Sequence, residues 1–215
     1  MYHIGIIDDV ESERADIQVS ILDHLGYDAQ VDFKEYKLES KTRNDIFKEI
    51  REDIQDERIH MLIVDFKLDT TKEVIAGEDI MSFMHEETPE FPVVVLTNVA
   101  DESKESRYID ADKVYSKKIF LDPSLPQTKE MVNNIYLNMK KYTDRRSELE
   151  TGLVIEQEKL NQNNADEEAL EKIIKIETEL GRYKQIYTTA IDEKLNLNEI
   201  KEILQDLKKY EDLLG

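Results

Sequence analysis

Three short apolar runs stand out from a mostly polar chain: HIGIID (3–8), HMLIVDF (60–66) and FPVVVLTN (91–98). Each is rich in Ile and Val and bounded by polar residues, the pattern of strands buried on both faces of a parallel sheet. Weaker runs, QVDFKEY (30–36) and DKVYSKK (112–118), fit a second and a fifth strand. The stretches between them read as helices. ESERADIQVSILDHLGY (11–27) spaces Ala15, Val19, Ile21, Leu22 and Leu25 at roughly helical intervals, with Gly26 as a C-terminal stop. In TRNDIFKEIREDIQDE (42–57), Ile46, Phe47, Ile50 and Ile54 recur in the same way, and Thr42 with Asp45 has capping-box spacing. GEDIMSFMHEE (77–87) predicts a third helix with acids in its first turn, where they complement the helix dipole. Strand–helix alternation predicts an α/β fold: a doubly wound, five-stranded parallel sheet with helices on both faces.

The pattern changes after about residue 124. From Gln127 onward there is no proline, and the glycines are Gly152, Gly181 and Gly215. A seam stepping by four and three runs through Ile135, Met139, Tyr142, Arg146, Leu149, Leu153, Glu156 and Leu160. It predicts one long helix packed along a stripe. NQNNAD (161–166) reads as a turn, and a second seam follows through Ala169, Ile173, Ile176, Leu180, Tyr183, Tyr187 and Ala190. A third amphipathic stretch holds Ile200, Ile203, Leu204, Leu207, Tyr210 and Leu214, with Asn196 and Glu199 at capping-box spacing. The expected organisation is an α/β domain over 1–142. An all-α hairpin or three-helix tail follows over 143–215, a coiled-coil region suited to output or dimerisation.

Composition narrows the functional classes. A net charge of −20 over 215 residues argues against nucleic acid and against anionic lipid as partners. The tail from Thr143 carries −7 by itself, which disfavours a DNA-reading helix. There is no cysteine, so no disulfide framework and no thiolate metal site. No apolar run reaches the length of about 18 residues that suggests a membrane span, and no basic-then-apolar leader opens the sequence. A cytoplasmic protein is the expectation. His3, His24, His60 and His85 are scattered without metal-ligand spacing and read as surface or satisfied core histidines.

In an open parallel sheet, ligands bind outside the carboxyl ends of the strands. The residues predicted there are Asp8 and Asp9 after the first strand, Asp65 after the third, Thr97 after the fourth and Lys117 after the fifth. Adjacent carboxylates repel until a cation bridges them, and all-oxygen donors suit Mg²⁺, a hard ion that shares sites with phosphate. Asp65 is placed to ligate that ion and to act as a nucleophile toward phosphorus. Lys117 and the metal would neutralise charge on the transferring oxygens, and the Thr97 hydroxyl would donate to one of them.

This ordered set, Asp8, Asp9, Asp65, Thr97 and Lys117, resembles the receiver domain of two-component response regulators, over roughly residues 2–140. The resemblance implies a flavodoxin-like receiver fold and phosphorylation of Asp65 by a sensor histidine kinase. It implies Mg²⁺ bound directly by Asp9, Asp65 and the backbone carbonyl of Lys67, and by Asp8 through water. Thr97 and Lys117 would couple phosphorylation to movement around the fourth and fifth strands. Such a protein is a phosphoacceptor that catalyses its own phosphotransfer and dephosphorylation rather than a turnover enzyme.

The sequence departs from the family pattern in places. The stretch from Asp9 to Asp65 is long, and so is the loop KLDTTKEVIAGED (67–79), which lacks the usual proline. Lys118 stands where a proline normally follows the lysine, and Val114 where an aromatic switch residue is common, with Tyr115 beside it. The output expected is protein–protein contact by the tail, with an unknown partner or a second copy. Two rivals differ in kind. One is an aspartyl-phosphate hydrolase of haloacid dehalogenase type, which would place a second Asp where Lys67 stands. The other is a receiver-like binding module that is never phosphorylated.

Overall fold

A computed structural model describes residues 1–68, 75–98, 109, 111–162 and 167–185. Five strands form one sheet: β1 (Tyr2–Ile7), β2 (Val31–Glu35), β3 (Met61–Asp65), β4 (Val93–Thr97) and β5 (Val114–Ser116). The spatial order is β2-β1-β3-β4-β5 and every pairing is parallel. β3 and β4 are buried at every position, which is why their sequences are continuous apolar runs rather than alternating ones.

Helices cover both faces. On one face α1 (Glu11–Leu25) and the long α5 (Pro126–Gln162) close over Ile4, Ile6, Ile63, Val94 and Leu96. On the other, α2 (Arg43–Gln55) and α3 (Gly77–Glu87) close over Ile7, Leu62, Val64, Val93 and Val95. The remaining helix of this part, α4 (Lys117–Phe120), is a single turn directly after β5. The expected capping box of α2 is present: Asp45 N–H donates to Thr42 Oγ1 at 3.2 Å, and Thr42 N–H donates to the Asp45 carboxylate at 2.9 Å. The α1 face differs from the expected one. Arg14, Ile17, Ser20 and Ile21 turn inward, whereas Ala15 and Val19 are exposed. Residues 14, 17 and 21 follow the i, i+3, i+7 stripe that a single buried face requires, and 15 and 19 fall off it.

The predicted long seam is realised in α5, 37 residues in length. Ile135, Met139, Tyr142, Arg146, Leu149 and Glu156 are buried along it, and Leu153 and Leu160 are half-buried. The helix runs without a break through Tyr142 and Thr143, and α6 (Glu167–Leu180) packs back along its distal half. Ala169, Ile173 and Leu180 are the buried seam positions of α6. Gly152 lies where the two helices touch, with room for a Cβ only 3.5 Å from Ile176 Cδ1. The fold is thus a five-stranded parallel α/β sandwich followed by a helical C-terminal region. Residues 163–166 of the expected turn, Tyr187, Ala190 and the third amphipathic stretch lie outside the described residues. No described helix is long and apolar enough to cross a membrane.

The end of the hairpin rests on the amino edge of the same sheet. Tyr142 OH donates to the Tyr183 carbonyl at 2.9 Å, the two rings stack, and Phe91 meets Tyr142 edge-on. Glu90 N–H donates to the Arg182 carbonyl at 3.0 Å, and the two side chains form an ion pair. Arg146, 4% exposed, donates to the carbonyls of Ile54 at 2.7 Å and Gln55 at 3.2 Å. A cation on the last carbonyls of α2 adds a strong donor where the helix ladder has run out, beside the Glu57 N–H that also reaches Ile54, and it sits at the negative end of the dipole.

Candidate functional site

Strand register assembles the carboxyl edge. Ile7 pairs with Val64, so the next residues, Asp8 and Asp65, emerge side by side. Asp65 itself pairs with Leu96, which places Thr97 one step beyond. Thr97 pairs with Ser116, and Lys117 follows at once. Four of the predicted positions are therefore neighbours because five parallel strands end at one level. Asp8, Thr97 and Lys117 are 1%, 1% and 2% exposed, and Asp65 is 9% exposed.

Lys117 is the hub. Its ammonium donates to Asp8 Oδ2 at 2.7 Å, to Asp65 Oδ2 at 2.8 Å, and to Glu13 Oε2. Burial opposes its charge, but the hydrogen bonds to Asp65, Asp8 and Glu13 outweigh that and hold its pKa above the ordinary lysine value. Lys118 is exposed. The expected strand end is instead the first residue of α4, and this turn of backbone directs the Lys117 side chain back over the sheet edge.

For Asp65 the balance tips the other way. Desolvation raises its pKa, and although Lys117 and the Lys67 N–H pull it down, the nearby Asp8 adds to the rise. A partly desolvated carboxylate with a weakened hold on its negative charge is a stronger base, and a poorly hydrated one is freer to attack. Lys67 N–H lies 3.4 Å from Asp65 Oδ1. Behind Asp65, the start of α3 comes in so close that a Cβ at Gly77 would stand 2.4 Å from the Asp65 carbonyl oxygen. Only glycine fits there. Gly77 N–H donates to the Phe66 carbonyl at 2.9 Å, which ties the residue after Asp65 to the start of the helix.

Asp8 is held from behind as well. Its Oδ1 accepts Val10 N–H at 2.9 Å, and its carbonyl accepts Arg14 Nη1–H at 2.7 Å. Asp9, the other half of the acidic pair, is exposed. The carboxylates that come together are Asp8, Asp65 and Glu13, with oxygens within 4.8 Å of one another. Glu13 was not among the predicted site residues. It stands in the first turn of α1, four residues after Asp9, where an acid already has a local reason to exist in the helix dipole. Three carboxylates against one ammonium leave a net negative cluster of hard oxygen donors, a chemistry that fits a small divalent cation such as Mg²⁺.

Departures noted in the sequence have local counterparts. Val114 is buried and Tyr115 is half-buried, its phenol pKa raised by desolvation, packed against the core cluster that includes Val94, Leu96 and Ile135. Of the histidines, His60 is a satisfied core residue: its Nδ1 accepts His3 N–H at 3.0 Å and its ring stacks on that of His3. His24 Nδ1 bonds the Ser20 carbonyl at 2.8 Å. Residues 69–74 of the loop after Asp65 are outside the described part.

The strand order 2-1-3-4-5 is that of flavodoxin-like receivers, whose ligands bind at the carboxyl edge where Lys117 and the acids meet. No family model matches the chain, and no curated protein does. Solved structures do. A response regulator receiver domain from Rhodospirillum rubrum matches at 20% identity and a TM-score of 0.41, over 64% of this chain and 91% of that one. The non-phosphorylated receiver domain of the stress response regulator RcsB from Escherichia coli matches at 18% and 0.39, over 54% and 82%. The response regulator RcsB from Salmonella typhimurium, described for its DNA interaction, matches at 15% and 0.42, over 84% and 92%. Identities this low speak to chain path, and function has to be read from the residues of the site.

Proposed function

We propose that this protein is a phosphorylation-controlled response regulator in which Asp65 accepts a phosphoryl group and the helical tail carries the output. The observation that carries the reading is the convergence on one ammonium: Lys117 lies 2.7 Å from Asp8 and 2.8 Å from Asp65, residues 109 and 52 positions away in sequence. In the reaction, an Asp65 oxygen forms a bond to phosphorus as the bond from phosphorus to the donor's histidine nitrogen breaks. The electron pair stays on that nitrogen, which takes up a proton, and the product is an acyl phosphate. Lys117 offers its N–H groups to the phosphoryl oxygens, and the Thr97 hydroxyl, at the next strand end, would donate to another. Asp8, held rigid by Val10 and Arg14, keeps Lys117 aimed at the acceptor. When bound, Mg²⁺ would be held by the converging carboxylates Asp8 and Asp65, with Asp9 and the Lys67 carbonyl as the further ligands that the receiver resemblance implies, and would supply charge neutralisation on the transferring group. The protein is a stoichiometric acceptor that also catalyses its own dephosphorylation, not a multiple-turnover hydrolase.

The output is protein contact. The tail from Thr143 has a net charge of −7, a field that repels nucleic acid, and its helices pair through apolar seams. A sensor histidine kinase is the upstream partner. The test is Asp65→Asn: incubation with radiolabelled acetyl phosphate and Mg²⁺ should label the wild type and leave the variant blank. Undiminished labelling of the variant would overturn the assignment.

A further inference from the structure

An ammonium has three N–H groups, and those of Lys117 are all engaged, by Asp8, Asp65 and Glu13. A phosphoryl oxygen on Asp65 can gain a hydrogen bond from Lys117 only if one of these carboxylates lets go. The three are not equally able to. Asp8 is 1% exposed and pinned through its second oxygen to Val10 N–H. Asp65 carries the phosphoryl group itself and, with its side chain 11% exposed, has little room to turn away. The Glu13 side chain is 29% exposed, sits on the first turn of α1, and has one more rotatable bond than either aspartate.

We propose that Glu13 is a built-in stand-in for the phosphoryl group. It occupies the third donor of Lys117 while Asp65 is unmodified and swings out to solvent when phosphoryl oxygens arrive. This rests on the phosphoacceptor reading of Asp65 and adds a positioning residue to it. The carboxylate holds the lysine in its working orientation in the resting state, and the release of that carboxylate is part of the cost of binding a phosphoryl group. Removing Glu13 should therefore make the site bind a phosphoryl mimic more tightly, the opposite of what removal of a phosphate-binding residue does.

The experiment is a titration of the full chain with beryllofluoride, followed by calorimetry, at Mg²⁺ shown to saturate each variant so that a change in cation affinity does not enter. Glu13→Ala should bind the mimic about three- to tenfold more tightly than wild type, the scale expected for loss of one competing charged hydrogen bond at a partly exposed position. Glu13→Gln, neutral but still an acceptor, should gain less, and Glu13→Asp should fall closest to wild type. A merely structural Glu13 would alter melting temperature without tightening the mimic. Unchanged or weaker binding in Glu13→Ala, with wild type binding normally, would overturn the inference and leave the phosphoacceptor reading standing. Absence of any beryllofluoride binding by wild type would overturn both.

Discussion

Lys117 and Arg146 are both buried cations, and they lie at opposite edges of the same sheet. Lys117 meets three carboxylates and leaves the cluster with excess negative charge. Arg146 meets two helix-terminal carbonyls, the Tyr142 hydroxyl and Glu150, with Glu57 at 3.3 Å. Its planar fork is matched to several fixed acceptors at once, which suits a permanent clamp. The lysine is a compact point charge whose partners can be exchanged one at a time, which suits a site that must accept a new anion. One edge is thus electrostatically unfinished and the other is saturated. The first can exchange partners, and the second anchors the hairpin.

The sharpest way to break this contrast is to remove each cation in turn. Lys117→Met leaves three clustered carboxylates without their counter-charge, a change that costs about 3–5 kcal/mol when a buried pair is broken. Urea unfolding in EDTA should show that loss, and millimolar Mg²⁺ should restore part of it by supplying positive charge. A variant as stable as wild type in EDTA would show that the acids do not depend on the ammonium. Labelling by acetyl phosphate should also fall.

Arg146→Met should cost less, about 2–3 kcal/mol, because its main partners are neutral carbonyls and its acidic partners reach water. Labelling of Asp65 by acetyl phosphate should be unchanged, since the clamp and the acceptor are at different edges. Limited proteolysis should cut α6 faster in the variant. A loss of labelling equal to that of the lysine variant would show that the two edges are coupled.

A smaller effect is expected from acid. Burial first, then the nearby charges of His3 and Arg146, push the His60 imidazole down to about 4. A group whose folded pKa lies below its unfolded one favours the fold while neutral. Its contribution is complete above the ordinary imidazole range and is lost as pH falls through that range toward 4. At pH 5 the loss amounts to about 2 kcal/mol. His60→Gln keeps an acceptor for His3 N–H but cannot titrate, so its stability should fall less than that of wild type between pH 7 and pH 5. Parallel pH profiles would show that the imidazole is not desolvated, and with it that the amino edge is not sealed.

Much of this was legible beforehand. Three of the five strands were readable because each is an apolar run of the length a buried parallel strand needs, and Asp8, Asp65 and Thr97 because each ends such a run; β2, β5 and with it Lys117 gave a weaker pattern. The α5 seam was readable from its four-three spacing, including its two polar members, Arg146 and Glu156, both of which are buried. Glu13 was not, since a first-turn acid has a sufficient local reason to exist. Nor was the exposure of Ala15 and Val19, because near-helical spacing fits more than one rotation of α1, and the packing of Ile17 and Ile21 against the sheet selects one.

Local sequence, then, determined the periodicities: which segments are strands, which are helices, and which polar residues terminate them. Those properties depend on neighbours a few positions away, so they are written into any short window of the chain. Tertiary structure alone decided that one lysine would be shared by three acids, that Asp9 would stay in water while Glu13 came in, and that the hairpin would close on its own sheet. These outcomes depend on distances between residues tens of positions apart, set by strand register and helix rotation, and no local pattern encodes them.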